Sequence, residues 1–176
     1  LGGDAGVTTC RGLEFIIQGL EATLPQAEAC QVVLALENHG RLPALSYESH
    51  VVIDYFSSPW LKVTYDPANY QANCMIENED PMHAYAELRD SIAYVHLKDV
   101  APPKSYASAR REPCVAGKGI TPLRQVIAAL TPDGYPGFCS LEYEAFEVLP
   151  EKEGVTESLT YLKEAIRSAR YLRKGS

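Results

Sequence analysis

The sequence predicts an α/β fold built on a parallel sheet, and two observations predict it. Short, continuously apolar runs rich in Val and Leu recur along the chain, and they alternate with segments whose apolar residues return every three or four positions. The first pattern marks a strand covered on both faces, and the second marks a helix with one buried face. Strict alternation of the two calls for right-handed crossovers between parallel strands, in either an open doubly wound sheet or a closed barrel.

The elements follow in order. Apolar residues at Leu13, Ile16, Leu20 and Leu24 predict a helix over 12–24, and QVVLALE at 31–37 predicts the first strand. Leu45, Val51, Val52, Tyr55 and Phe56 lie in a second helical segment, followed by the strand WLKVTYD at 60–66. Asp80 and Pro81 form an N-cap and first-turn pair for a helix to about Asp90, and IAYVHLKD at 92–99 is the third strand. The stretch 101–112, with two prolines and several small residues, reads as a long loop before a brief strand at PCVA, 113–116. Thr121 and Pro122 open a helix through Leu130. The turn PDGYPG then leads into the fifth strand, FCSLEYE, at 138–144. A last helix over 156–172 places Leu159, Leu162, Ile166, Ala169 and Leu172 on one face.

With 176 residues, 46% hydrophobic and 22% charged, the chain has the composition of one globular domain over residues 1–176. A net charge of -7 argues against nucleic acid and against anionic membranes, which need clustered Lys and Arg. No run approaches about 18 consecutive apolar residues, so no membrane span is expected. Five cysteines, Cys10, Cys30, Cys74, Cys114 and Cys139, are scattered without a C-x-x-C pair, which fits reduced thiols and a cytoplasmic location.

Glu37, Asp66, His96 and Glu142 each interrupt an apolar run at the C-terminal end of a predicted strand. That is where a closed barrel builds its site, and their placing favours a TIM (β/α)8 barrel over a doubly wound sheet. No G-x-G-x-x-G or P-loop supports the alternative. The first three follow at intervals of 29 and 30 residues, about one unit of a barrel with eight units in about 250 residues, and the fourth lies 46 further on, with the PCVA unit skipped. A single acid at a strand end is commonly a helix cap, and a single histidine is commonly a core residue. Four at barrel spacing point instead to one site. Three carboxylates and an imidazole suit one divalent ion such as Mn, Mg, Co or Zn.

The segments VVLALENHG, LKVTYDPANY, IAYVHLKDV, GKGI and GFCSLEYE resemble successive strand-end motifs of the xylose isomerase-like TIM barrels, in particular the sugar phosphate isomerase/epimerase family. The resemblance covers nearly the whole chain. It implies Glu37, Asp66, His96 and Glu142 as ligands of one divalent metal ion, with Glu37 and Glu142 also serving as catalytic acid/base groups. Five strand-helix units correspond to only the C-terminal part of such a barrel. A natural protein with about 90 to 110 further residues ahead of Leu1 is therefore expected, as is a possible homo-oligomer joined through open sheet edges.

The implied activity is a metal-dependent isomerase or epimerase of a ketose or aldose, with a small carbohydrate as its partner molecule. Proton abstraction beside a carbonyl gives an enediolate that the metal stabilises. A dehydratase of a cyclic polyol ketone, or a non-catalytic sugar-binding barrel, is the alternative. His39 and Asn69, just beyond two of the acids, are expected either to hold substrate hydroxyls or to structure their loops, and Lys98, closing the third strand, is expected at the substrate. Lys98 has the alternative of pairing with Asp99. Lys118, Arg110 and Arg111 are left unassigned as phosphate contacts, and Glu144 shares a strand face with Glu142. Endonuclease IV, a DNA-cutting trinuclear zinc enzyme of the same superfamily, needs more histidines than the four present.

Overall fold

The structure, a computed structural model, describes residues 6–72, 78–103, 111–131 and 134–174, the last four of these by their backbone alone. The elements are α1 (Thr9–Ala29), β1 (Leu34–Glu37), α2 (Ser46–Phe56), β2 (Leu61–Tyr65), α3 (Asn69–Ala72), α4 (Pro81–Leu88), β3 (Ile92–Leu97), β4 (Asp99–Val100), β5 (Pro113–Cys114), α5 (Leu123–Leu130), β6 (Phe138–Leu141) and α6 (Glu151–Lys174). A single 3₁₀ turn, Arg89–Ser91, leads into β3.

One parallel sheet carries the architecture, in the order β1-β2-β3-β6. Alternation along each strand sends one set of side chains toward the helices. Val63, Tyr65, Val95 and Leu97 pack there against Ala84, Leu88, Leu123, Val126, Leu162 and Ala165. A second cluster joins Leu24, Val52 and Leu61 to Leu13, Ile16 and Leu20 of α1. Burying side chains of this size stabilises by roughly 1.5–3 kcal/mol each, so the helical layer is fixed by this face of the sheet.

Helix starts follow local chemistry. Asp80 Oδ1 accepts from Met82 N at 2.9 Å and caps α4 as its sequence implies. At α2 the N-cap is Leu45, and Glu48 supplies the missing acceptor, its Oε2 taking the N–H groups of Ala44 and Leu45 at 2.6 and 3.1 Å. Thr121 makes no cap for α5: the helix opens from Pro122, and the Thr121 hydroxyl is buried without a hydrogen bond. In α6 the buried face runs through Ser158, Leu162 and Ala165, so Leu159, expected on it, is exposed. Ser158 earns that place because its Oγ accepts from Ala116 N at 3.1 Å. The Leu172 side chain, Cys74, Arg110 and part of the PDGYPG turn lie outside the described residues. Among the described residues, Cys10, Cys30, Cys114 and Cys139 are free thiols, and no helix is long and apolar enough to cross a membrane.

The PCVA segment departs from the expectation. It is not a barrel strand: β5 pairs antiparallel with β4, with Asp99 opposite Cys114 and Val100 opposite Pro113. The chain beyond β3 turns back on itself locally, and Pro113 has no N–H to give to a parallel ladder. Hence β6 lies directly beside β3, with Tyr94 opposite Phe138 and His96 opposite Ser140. Among the described residues the long interval before Glu142 holds a ribbon and α5, not a skipped parallel strand, and the sheet has four parallel strands where five units were expected.

Asp99 anchors that ribbon. Its Oδ1 accepts from Val100 N and Thr121 N at 2.9 and 3.0 Å, and its Oδ2 from Gly117 N and Gly119 N at 2.8 and 3.0 Å. Gly117 has φ +88, a conformation that favours glycine, and a Cβ on Gly119 would lie 2.3 Å from Asp99 Oδ1. An Asp99→Ala substitution leaves these amides without their acceptor, at about 1–3 kcal/mol for each that stays buried. The expected loss is about 3 kcal/mol or more of unfolding free energy, read from urea denaturation.

Candidate metal centre at the strand ends

The side chains on the other face of the sheet alternate away from the helices. Glu37 ends β1, Asp66 follows β2, His96 lies near the end of β3, and Glu142 follows β6, its N–H donating to Leu97 O at 3.2 Å. Each offers one ligand atom, and these atoms all lie within 4.8 Å of one another. The four come from four adjacent strands, so the parallel register alone brings them to one end of the sheet.

Glu37 Oε1 is 3.0 Å from His96 Nδ1 and accepts from Asn69 Nδ2 at 3.3 Å. His96 Nδ1 is also 3.3 Å from Glu142 Oε2. Asp66 is fully buried. Its Oδ1 accepts from Ala68 N and Asn69 N at 2.9 and 3.2 Å, while Oδ2 lies 3.1 Å from Lys98 Nζ, paired by charge but outside hydrogen-bond alignment. Lys98 Nζ also donates to Glu142 Oε2 at 3.0 Å and lies 3.2 Å from Glu144 Oε2. Lys98 therefore pairs with these carboxylates and leaves Asp99 to the backbone.

Of the residues expected at a substrate, Asn69 touches two of the acids, and His39 is exposed, with its backbone N–H on Glu37 O at 2.9 Å. Lys118 is ion-paired with Glu157 on α6. Asn38 was not singled out by its sequence context, yet it is buried and joins two strand ends. Its Nδ2 donates to Asp66 O and its Oδ1 accepts from Asp66 N, both at 2.9 Å. An amide lodged in the apolar run beside Glu37 was the available signal. A cavity of about 650 Å³ between β6, α5 and α6, lined by Leu97, Ile127, Cys139 and Ile166 among others, contains none of the four residues. It lies on the helical side, so this cavity and the four side chains are on opposite faces of the sheet.

Burial pushes the Asp66 carboxyl up to about 6, and the Lys98 charge and the Asn69 amide only partly oppose this. The hydrogen bond that His96 gives to Glu37 raises His96 against the effect of burial, and the same bond lowers Glu37. Burial disfavours charged Lys98, but the Asp66, Glu142 and Glu144 carboxylates outweigh it and raise its pKa. Three carboxylates and an imidazole, one carboxylate carrying a buried oxygen with no aligned donor, fit a divalent cation.

The shifts give the metal-free protein an unusual pH dependence. A folded pKa above its unfolded value adds stability at low pH that is lost as pH rises through the folded value. Asp66 passes through this change between 3.8 and about 6, and His96 above 6.5. With chelator present, the urea midpoint is expected to fall between pH 5 and pH 8. His96→Gln should flatten the upper part of that slope, and a midpoint that rises across the range would contradict the assignment.

A sequence model of the xylose isomerase-like TIM barrel matches residues 2–165. Comparison with curated proteins finds no match. Solved structures of similar fold include a xylose isomerase-like TIM barrel protein from Mycobacterium smegmatis in complex with magnesium, at 17% identity and TM-score 0.71, covering 96% of this chain and 53% of that one. D-psicose 3-epimerase from Clostridium cellulolyticum H10 is 16% identical with TM-score 0.68, covering 93% of this chain and 60% of the enzyme. A probable 3-DHS dehydratase from Bacillus anthracis is 18% identical with TM-score 0.64, covering 88% and 60%. The chain thus spans little more than half the length of these structures, and likeness at such identities shows the fold alone. On the match over residues 2–165, the chain belongs to the xylose isomerase-like TIM barrel family.

Proposed function

We propose that this chain carries the site of a metal-dependent isomerase or epimerase of a ketose or aldose, with Glu37, Asp66, His96 and Glu142 holding one divalent ion, Mn, Mg, Co or Zn. The observation that carries this reading is the convergence of four strand-end side chains to within 4.8 Å. A bound divalent ion stabilises negative charge developing on a carbonyl oxygen and its neighbouring hydroxyl. Asp66, buried and fixed by two backbone amides, gives the site a rigid base. Glu37, held ionised by its bond to His96, is suited to accept a proton from the carbon beside the carbonyl. Glu142, just after the strand that lies beside β3, is suited to return one. Return to the opposite face of the same carbon gives epimerisation, and return to the adjacent carbon gives isomerisation.

His39 and Asn69 are assigned to substrate hydroxyls, at the open side of Glu37. A small carbohydrate is the partner molecule. Free thiols among the described residues support a cytoplasmic protein. The same proton abstraction followed by loss of a hydroxyl would be dehydration, and the structural likeness to a dehydratase makes product analysis the way to separate the two.

Metal-stripped protein is expected to bind one equivalent of Mn²⁺ by calorimetry, and His96→Ala to lose that binding while keeping its circular dichroism spectrum. In heavy water with ketose substrates, solvent deuterium should enter beside the carbonyl. Glu37→Gln and Glu142→Gln should each slow turnover by roughly 100- to 10,000-fold. Metal content is measured in the same variants, and unchanged turnover with metal retained would favour a sugar-binding barrel.

A further inference from the structure

Lys98 is 5% exposed, and its ammonium faces three carboxylates: Asp66 Oδ2 at 3.1 Å, Glu142 Oε2 at 3.0 Å and Glu144 Oε2 at 3.2 Å. The ammonium donates to Glu142 Oε2 and lies within ion-pair distance of Asp66 and Glu144, so its charge is paired within the protein. Two of the three partners belong to the metal-capable group, and Glu144 does not. Asp66 is held from its other side by the backbone amides of Ala68 and Asn69, whereas Glu142 is held by Lys98 and His96. The ammonium therefore does for Asp66 and Glu142 what a cation would do: it offsets their repulsion and ties them together.

We infer that Lys98 is a positioning residue and an internal counter-cation, which keeps Asp66 and Glu142 assembled without metal and by the same contacts opposes a bound ion. This rests on the metal reading proposed above. A positive charge about 3 Å from two ligand oxygens repels any cation those oxygens hold, and burial keeps that repulsion from being screened. Lysine suits the role through its flexible stem and compact charge, which let the ammonium move toward one partner when others are taken. Glu144, half exposed, is the anchor toward which it can withdraw. The outcome is a site that stays folded when empty and exchanges its ion.

The test is Mn²⁺ binding to the metal-stripped chain, by calorimetry and by electron paramagnetic resonance, alongside thermal melting. Lys98→Met should bind Mn²⁺ at least about tenfold more tightly than the parent chain, because the loss of repulsion outweighs the loss of positioning. Its metal-free form should melt lower, and saturating Mn²⁺ should raise its melting temperature more than it raises the parent's. A purely structural lysine predicts the opposite sign, weaker binding, and equal or weaker binding in a folded Lys98→Met overturns the inference. If that variant folds only with metal, release of Mn²⁺ to a chelator should be slower than from the parent, and faster release overturns the inference equally. Glu144→Gln, a surface change, should weaken Mn²⁺ binding several-fold, and the effect should persist in about 0.5 M salt, where an exposed charge acting alone is screened. Unchanged affinity in that variant removes the withdrawal to Glu144. Failure of the parent chain to bind any divalent ion would instead overturn the metal reading itself.

Discussion

Asp66 is the constraint on which the site turns. It is a carboxylate with no exposed surface, at the end of a strand whose alternate residues Val63 and Tyr65 face an apolar helical layer. A charge so placed is costly unless paired and hydrogen-bonded, and every neighbour answers that demand. Ala68 and Asn69 give backbone N–H groups to one oxygen, Lys98 brings a positive charge to the other, and Asn38 clasps the Asp66 backbone from the adjacent strand. Two of these partners then reach onward, Lys98 to Glu142 and Asn69 to Glu37. Stabilising one buried acid thus orders the others around it.

A second carboxylate plays the complementary part. Asp99, one residue after Lys98, turns its charge onto the amides of the 117–121 segment and fixes the chain where β3 leaves the sheet. Neighbouring residues of one strand end therefore divide the work. Lys98 faces the acids and Asp99 faces the backbone, as alternation along an extended chain requires. The short antiparallel ribbon of β4 and β5 follows from this anchoring, and it lets β6 come directly beside β3.

Family membership and the parallel sheet place the chain within the barrel architecture, where sites form at the C-terminal ends of strands. The described residues supply four adjacent parallel strands, and the chain spans 53% to 60% of the related structures compared above. Such a sheet carries all four converging side chains, because adjacent strands in parallel register deliver their ends to one rim. The specific reaction rests on chemistry that the fold does not dictate, since one barrel hosts many activities.

The sequence by itself determined the element types and the residues that gather at the strand ends. Local periodicity records burial, so strands such as LKVTYD and the helix after Asp80 stood out, and a charged residue inside an apolar run drew attention because burying it is costly. What only the tertiary structure decided is pairing. PCVA has a strand-like composition, but its partner is β4, a choice made by chain reversal and by Asp99 hydrogen bonds to amides 18 to 22 residues away, which no local pattern encodes. Leu159 satisfied the helical spacing yet faces solvent, because Ser158 has a long-range partner in Ala116 and turns that face inward. Asn38 is an ordinary polar residue in a linear reading, and Lys98 and Asp99 read there as a substrate contact or as partners of each other. Their roles appear only when hydrogen bonds and ion pairs spanning up to 46 residues bring them against particular acids and amides, because such bonds depend on distance in space and not on neighbours in the chain.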